Sequence, residues 1–360
     1  MEDMHYIRIS PTMVLVGIMD GHAGDSAAIF SARHYPTWLE KRIKSDWTSN
    51  EEIQKLTVAF DVEMERRTDE EYKSDEIEEI TGKDEFSDES DRFHLSGMEH
   101  SYQKPGCTSV SVALVKRPES GTLELIGINL GDSRAVFGDI AGNDVVLSND
   151  HRPDVPKELE RIEKAGMNVS YGYIRSGRYG DLGVARAFGD YGFKWNKELP
   201  REEQAVTAVP EIIRHSIAKP TEEPKYPQQE FVFLGCDGIF ERWKTEDVMA
   251  FIRSRLSAQR RGEYVKLRRG LLGGILRSDD STGGSKEIDE IVEKMMKQAL
   301  EFAKKHPVKE GEKFPLEGYD VASIVNDVLY NALRRGSGDN VTAMIVLVDS
   351  EKAMAEKTKE

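Results

Sequence analysis

Thr108-Ser-Val-Ser-Val-Ala-Leu-Val115, Leu123-Glu-Leu-Ile-Gly-Ile-Asn129, Arg134-Ala-Val-Phe137 and Val145-Val-Leu147 follow one another through the middle of the chain. Each run is rich in branched or aromatic residues, which suit a pleated, buried surface. The links Glu119-Ser-Gly121 and Gly138 to Asn143 carry turn residues and leave no room for a crossover helix. Consecutive strands must therefore pair antiparallel, and the centre of the fold is a sheet-rich core. Val14 to Met19, Phe231 to Gly235 and Val341 to Val348 extend it.

Helical periodicity flanks this core. In Glu51 to Arg67, Ile53, Leu56, Phe60 and Met64 recur on one face, and Ser49 with Glu52 forms a capping-box pattern. Asp25 to Lys44 reads as a helix pair broken near Pro36. Pro156 to Ala165 is a short helix opened by proline and ended by Gly166. Thr245 to Arg260, Glu287 to Lys305 and Tyr319 to Arg335 complete the set, with Trp243 and Met249 as core positions. Helices on both sides of a β core predict a layered α+β fold.

Composition bounds the function. A chain of 360 residues, 38% hydrophobic and 32% charged with mean hydropathy -0.54, belongs with globular proteins and offers no apolar run long enough for a membrane span. Its length allows one large domain with insertions or two smaller ones. Two cysteines, Cys107 and Cys236, cannot build a disulfide framework, and no signal-peptide pattern opens the chain, so an intracellular setting, cytoplasmic or nuclear, is expected. The net charge of -15 argues against a global nucleic-acid binder and favours cations and basic partners.

Two segments read as insertions. The first, about 69–96, is dominated by acids: Asp69 to Arg92 holds twelve against three bases, and it reads as a solvated loop or an acidic docking arm. The second, about 258–318, passes from basic to acidic. Seven arginines between Arg253 and Arg277 make it a solvated insertion or a surface for an acidic partner.

Three apolar or glycine-marked runs end on an aspartate followed by a small or polar turn residue: Val16-Gly-Ile-Met-Asp20-Gly21-His22, Phe233-Leu-Gly-Cys-Asp237-Gly238 and Gly336-Ser-Gly-Asp339-Asn340. Glu2-Asp3 stands at the head of another short run, Met4 to Ile9. A single Asp-Gly is an ordinary turn signal. Several together, all oxygen donors, make a ligand set for Mg²⁺ or Mn²⁺. His22, two residues beyond Asp20, adds a proton carrier beside them.

These motifs, with Pro105-Gly-Cys-Thr-Ser-Val110, Asn129-Leu-Gly-Asp-Ser-Arg134, Asn149-Asp-His-Arg-Pro153, Glu160-Arg-Ile162 and Gly183-Val-Ala-Arg-Ala-Phe-Gly-Asp190, run in an order that resembles the metal-dependent Ser/Thr protein phosphatases of the protein phosphatase 2C type. The resemblance implies a four-layer α-β-β-α sandwich of two antiparallel sheets flanked by helices, a single catalytic domain over 1–360, and a monomer. It implies two Mn²⁺ or Mg²⁺ ions: Asp20 bridging, Glu2 and the Gly21 carbonyl completing one, Asp237 and Asp339 the other. Asp3 would hold metal-bound water without touching a metal. Asp132 and Glu241 would serve a third, weaker ion, although the family usually has Asp where Glu241 stands. Residues from Lys194 to about Val209 match its flap. An arginine four residues ahead of the first glutamate is usual there, and this chain starts too late to hold it; a weakened grip on substrate phosphate is the expectation.

The chemistry follows from the residue types. A phosphate monoester dianion repels hydroxide, so hydrolysis of phosphoserine or phosphothreonine in a protein needs cations that neutralise charge and lower the pKa of water. A metal-bridging hydroxide would attack phosphorus while His22 protonates the departing oxygen. Arg186 is expected to pair with a carboxylate, Asp190 to be a structural or flap-hinge residue, and His151 to shape a turn. Two other readings stay open. Cys236-Asp-Gly-Ile-Phe-Glu-Arg242 has the spacing of a cysteine phosphatase, and a non-catalytic regulator could keep the same fold.

Overall fold

The computed structural model describes residues 2–10, 13–42, 49–68, 105–117, 122–217, 228–260, 319–350 and 353. Strands β1 (Met4–Ile9), β2 (Met13–Met19) and β3 (Gly21–His22) lead into helices α1 (Ser26–Arg42) and α2 (Asn50–Thr68). Strands β4 (Gly106–Cys107), β5 (Ser109–Lys116), β6 (Leu123–Leu130), β7 (Arg134–Gly138) and β8 (Asp144–Val146) follow. Next come α3 (Pro156–Lys164), the hairpin β9 (Asn168–Ser170) and β10 (Tyr173–Arg175), β11 (Phe188–Gly189) and β12 (Glu211–Ile217). The chain closes with β13 (Glu230–Gly235), α4 (Asp237–Phe240), α5 (Thr245–Arg260), α6 (Val321–Arg334) and β14 (Ala343–Val348).

Two antiparallel sheets dominate, with strand orders β1-β2-β5-β6-β12 and β14-β13-β7-β8. Their registers include Ile18 opposite Val110 and Val232 opposite Phe137. The central strands are apolar on both faces because both are covered. β6 sends Leu123 and Leu125 into a cluster with Phe137, Val232, Leu234 and Met344 of the other sheet. Its Ile126, Ile128 and Leu130 lie in another, with Phe30, Trp38 and Phe60 of α1 and α2. The far face of the second sheet buries Phe231, Phe233 and Ile345 against Val248 and Ile252 of α5 and Ile324 and Val328 of α6.

α1 departs from expectation, because it runs unbroken through Pro36. The missing N–H and ring clash of an internal proline cost about 3 kcal/mol. Phe30, Tyr35 and Trp38 are nonetheless almost fully buried, and each such side chain returns about 1.5 to 3 kcal/mol, so packing outweighs the break. Tyr35 sits 5.1 Å from Phe60 and 5.0 Å from Phe188, ring centre to ring centre, which ties α1 to α2 and β11. At the start of α2, Ser49 Oγ accepts from the Glu52 N–H at 3.1 Å, as the capping pattern predicts.

Within the span expected as the second insertion, about 258–318, only residues 258–260 are described. α5 continues to Arg260 with Ala258 and Gln259 buried, and Gln259 is bonded twice to Asp320, Nε2 to carbonyl at 3.0 Å and Oε1 from N–H at 2.8 Å. The acidic insertion at about 69–96, the rest of the second insertion and the helix expected over Glu287 to Lys305 lie outside the described residues. Strand β12 went unread because it is a half-buried edge carrying Arg214 and His215, without the dense apolar run of its neighbours.

Glu158 ties α3 to the chain ahead of β11. Its buried carboxylate accepts from Arg186 Nη2 at 2.5 Å and from Arg161, so Arg186 pairs with a carboxylate as anticipated. Burial alone would raise the pKa of Glu158. The two arginines overcome that and lower it from 4.5 to about 2. A depressed carboxylate pKa gives stability that is full above the unfolded value and drains away as pH falls toward the folded one. Glu158→Gln is expected to cost roughly 3 kcal/mol near neutral pH, as broken buried pairs do. The thermal melts of variant and wild type should converge as pH falls from 4.5 toward 2. A difference that stays constant with pH would contradict this.

Candidate active site

The strand ends bring their carboxylates to one place. Asp20 follows β2, Asp132 lies between β6 and β7, Asp237 opens α4 directly after β13, and Asp339 stands ahead of β14. Asp237, Glu241 and Asp339 each offer a carboxylate oxygen within 4.8 Å of the others. One helical turn aligns the first two, with the Glu241 N–H donating to the Asp237 carbonyl at 2.9 Å. Asp20 and Asp132 stand beside this trio. Glu2 turns toward the loop after β3, where its Oε1 accepts from the Gly24 N–H at 2.9 Å.

Electrostatics record the crowding. Burial, and then the charges of Asp3, Asp237, Asp132 and Asp339, drive the Asp20 pKa far above the carboxylate range. Asp237 is raised by burial and by Asp339, while a hydrogen bond with Asp20 acts in the opposite sense. Burial and Asp237 push Asp132 up to about 7 against the opposing charge of Arg152. Carboxylates this close can all ionise only beside added positive charge. Asp3 provides a separate sign: its Oδ2 accepts from Thr342 Oγ1 at 2.6 Å, whereas its buried Oδ1 has no hydrogen-bond partner among the described residues. An all-oxygen donor set with an orphaned acceptor behind it fits hard divalent cations.

The glycines that follow two of these aspartates are required by close approach. A Cβ on Gly21 would stand 2.4 Å from the Glu2 carbonyl oxygen, and one on Gly238 would stand 2.1 Å from that of Asn340. The Asp-Gly pairs therefore let the ligand loops of distant strands touch.

His22 lies at the rim. Its Nε2 is 2.8 Å from Asp190 Oδ2, with Asp190 almost fully buried. Burial disfavours the imidazolium, but the Asp190 charge and hydrogen bond outweigh it, and the His22 pKa is raised above its usual value. Asp190 is thus the partner of the histidine, where the sequence suggested a structural or flap-hinge residue. It is held in a left-handed conformation at φ 52°, and the carboxylate lies where a Cβ on Gly106 would be, 2.2 Å from the nearest oxygen. The interaction spans 168 positions, so local pattern could not reveal it.

Asp61 of α2 fixes the chain around Asp190. Its Oδ1 accepts from the Gly189 N–H at 2.8 Å, its Oδ2 from Lys194 Nζ at 2.7 Å and its carbonyl from the Tyr191 hydroxyl at 3.0 Å. Lys194 and Asp61 are both buried. An acid on the helix face that also carries Thr57, Phe60 and Met64 was the available signal for this role, and it was missed. His151 shapes a turn: its Nδ1 accepts from the Gly131 N–H at 3.2 Å, and burial, with the charge of Arg186, lowers its pKa to about 3. Cys236 is buried, burial raises its thiol pKa, and its sulfur accepts from the Thr342 N–H at 3.1 Å. It lacks the thiolate that cysteine-phosphatase chemistry needs.

The antiparallel sheets with their flanking helices thus present a carboxylate cluster that could hold a cation, beside a histidine–aspartate pair. Residues 8–269 match the family model for Protein phosphatase 2C, and the chain belongs to that family. It is 32% identical over 286 residues to "Probable protein phosphatase 2C 6" of Paramecium tetraurelia, covering 79% of this chain and 83% of the relative. It is 30% identical over 268 residues to "Protein phosphatase 2C homolog 2" of Hypocrea jecorina, covering 74% and 50%. Among solved structures, a phosphatase from Toxoplasma gondii shares the fold with a TM-score of 0.60 at 20% identity, over 97% of this chain and 90% of that one. The family match takes in Asp20, Gly21, His22, Asp132, Asp237 and Glu241, while Glu2, Asp3 and Asp339 fall outside its bounds. The homologues indicate a protein phosphatase.

Asp237→Asn should weaken Mn²⁺ binding by at least about tenfold in titration calorimetry, a lower bound seen even when a partner of a ligand is removed, with the melting temperature retained. Unchanged Mn²⁺ binding would remove Asp237 from the ligand set.

Proposed function

We propose that the chain hydrolyses phosphoserine and phosphothreonine in proteins using two Mn²⁺ or Mg²⁺ ions. The convergence of Asp237, Glu241 and Asp339 around the partly buried Asp20 carries this reading. Asp20, Asp237, Asp339, Glu2 and the Gly21 carbonyl would hold the pair, with Asp132 and Glu241 available to a third. When bound, the ions supply the positive charge that a phosphate dianion and an attacking water both require. The three apolar clusters support a four-layer α-β-β-α arrangement of one catalytic domain with two insertions.

The protein's own groups divide the remaining work. Asp3, with its free Oδ1, can orient the water that attacks phosphorus. His22 carries the proton for the departing serine or threonine oxygen. Because Nε2 is engaged by Asp190, the proton would leave from Nδ1, and Asp190 would stabilise the imidazolium and fix its ring plane.

Mn²⁺-dependent release of phosphate from a phosphothreonine peptide is expected, with loss on chelation and a fall of about a thousandfold in Asp20→Asn. Chelator-resistant turnover would sink the proposal, and alkylating agents should leave the rate unchanged. His22→Ala should lower peptide turnover by roughly 10² to 10⁴, since an alkoxide cannot leave without a proton. A phenolate leaving group needs less help, so the loss on p-nitrophenyl phosphate should be smaller. Equal losses on both substrates would exclude His22 as the acid.

A further inference from the structure

Arg152 stands beside the carboxylates of Asp132 and Asp150. Its backbone is fixed. The His151 N–H donates to the Gly131 carbonyl at 3.0 Å, the His151 carbonyl accepts from the Ala185 N–H at 2.9 Å, and the Arg152 carbonyl accepts from the Val155 N–H at 3.1 Å. Its side chain is 49% exposed and reaches over the buried Asp132, with Nη2 3.6 Å from Asp132 Oδ2 and Nε 3.6 Å from Asp150 Oδ2.

Neither contact is a hydrogen bond at that distance. Asp150 is already taken: Arg134 grips both of its oxygens, Nε to Oδ1 at 2.8 Å and Nη2 to Oδ2 at 2.8 Å. Among the described residues, therefore, the guanidinium of Arg152 has no hydrogen-bond acceptor, only two loose ion pairs. Its charge stands at the edge of the site, over Asp132 in the turn between β6 and β7. An arginine with a fixed base and unspent donors beside a carboxylate of the site has the chemistry of a phosphate clamp. Its planar fork matches two phosphoryl oxygens at once, which a lysine cannot do.

We propose that Arg152 binds the phosphoryl group of the substrate, donating from its guanidinium to the non-bridging phosphoryl oxygens, and so contributes to affinity for phosphate itself. This rests on the phosphatase reading of the site. If Arg152 served only to balance Asp132 and Asp150, its removal would alter stability or cation affinity and leave phosphate affinity untouched.

The test uses the full chain loaded with Mn²⁺, as wild type, Arg152→Ala and Arg152→Lys. Inorganic phosphate binding is measured by calorimetry, KM and kcat on a phosphothreonine peptide and on p-nitrophenyl phosphate, and Mn²⁺ affinity and melting temperature in parallel. The expected result for Arg152→Ala is a loss of phosphate affinity of about tenfold to a hundredfold, the weight of a charge-assisted two-pronged contact. KM should rise on both substrates, Arg152→Lys should recover part of the loss, and Mn²⁺ affinity should hold. Unchanged phosphate binding overturns the proposal. So does an effect confined to Mn²⁺ affinity, or a rise in KM on the peptide alone, which would mean that Arg152 reads a neighbouring acidic side chain. A wild-type chain that binds phosphate but hydrolyses neither ester would refute the phosphatase reading, and the calorimetric comparison would still decide Arg152.

Discussion

Mutual repulsion among carboxylates is the constraint around which this molecule is organised. Asp20 arrives from one sheet, Asp237 and Asp339 from the other, and Asp132 from the turn that passes between them. Nothing in their own chemistry favours the gathering. It is imposed by the interior, where β2, β5 and β6 on one side and β7, β13 and β14 on the other bury apolar side chains between the sheets. Hydrophobic burial is non-directional and large, so it can hold like charges together that would otherwise separate. The site is in this sense strained electrostatically, and a cation relieves the strain at the place where chemistry needs it.

The packing of α1 and α2 on the first sheet positions the histidine rather than the carboxylate cluster. α1 and α2 meet β11 through Tyr35, Phe60 and Phe188, and Asp61 then converts that packing into direction. A buried ion pair adds little net stability. Fully satisfied, as between Asp61 and Lys194 with Gly189 and Tyr191 alongside, it can specify one geometry. What it specifies is the backbone on either side of Asp190. The histidine is therefore positioned by a helix more than a hundred residues before its partner in the sequence, through a carboxylate that never touches it.

Much of this was legible in the sequence, and the illegible parts share a cause. The central strands announced themselves by composition because both faces of each are buried. The aspartates at their ends followed from the same runs, since a strand terminus is a local feature. Pro36 misled because a helix rule was applied without the aromatic burial that overrides it. The pairing of His22 with Asp190 and the seat of Asp61 join segments far apart in the chain. No local periodicity encodes such contacts. Only the polar residue on the buried face of α2, at Asp61, left a trace that a reading by face could have caught.

The pair of hydrogen bonds between Gln259 and Asp320 has a consequence of a different kind. These residues stand 61 positions apart and are clipped together at the edge of the helical layer, so the folded framework sees a closed stem there. The entropy of closing a loop grows only with the logarithm of its length, about 0.6 kcal/mol for each doubling. Closing the chain at this point therefore costs little, and it seats the last turn of α5 against the residue that caps α6. The stem pins the two helices that cover the second sheet to each other without calling on the carboxylates.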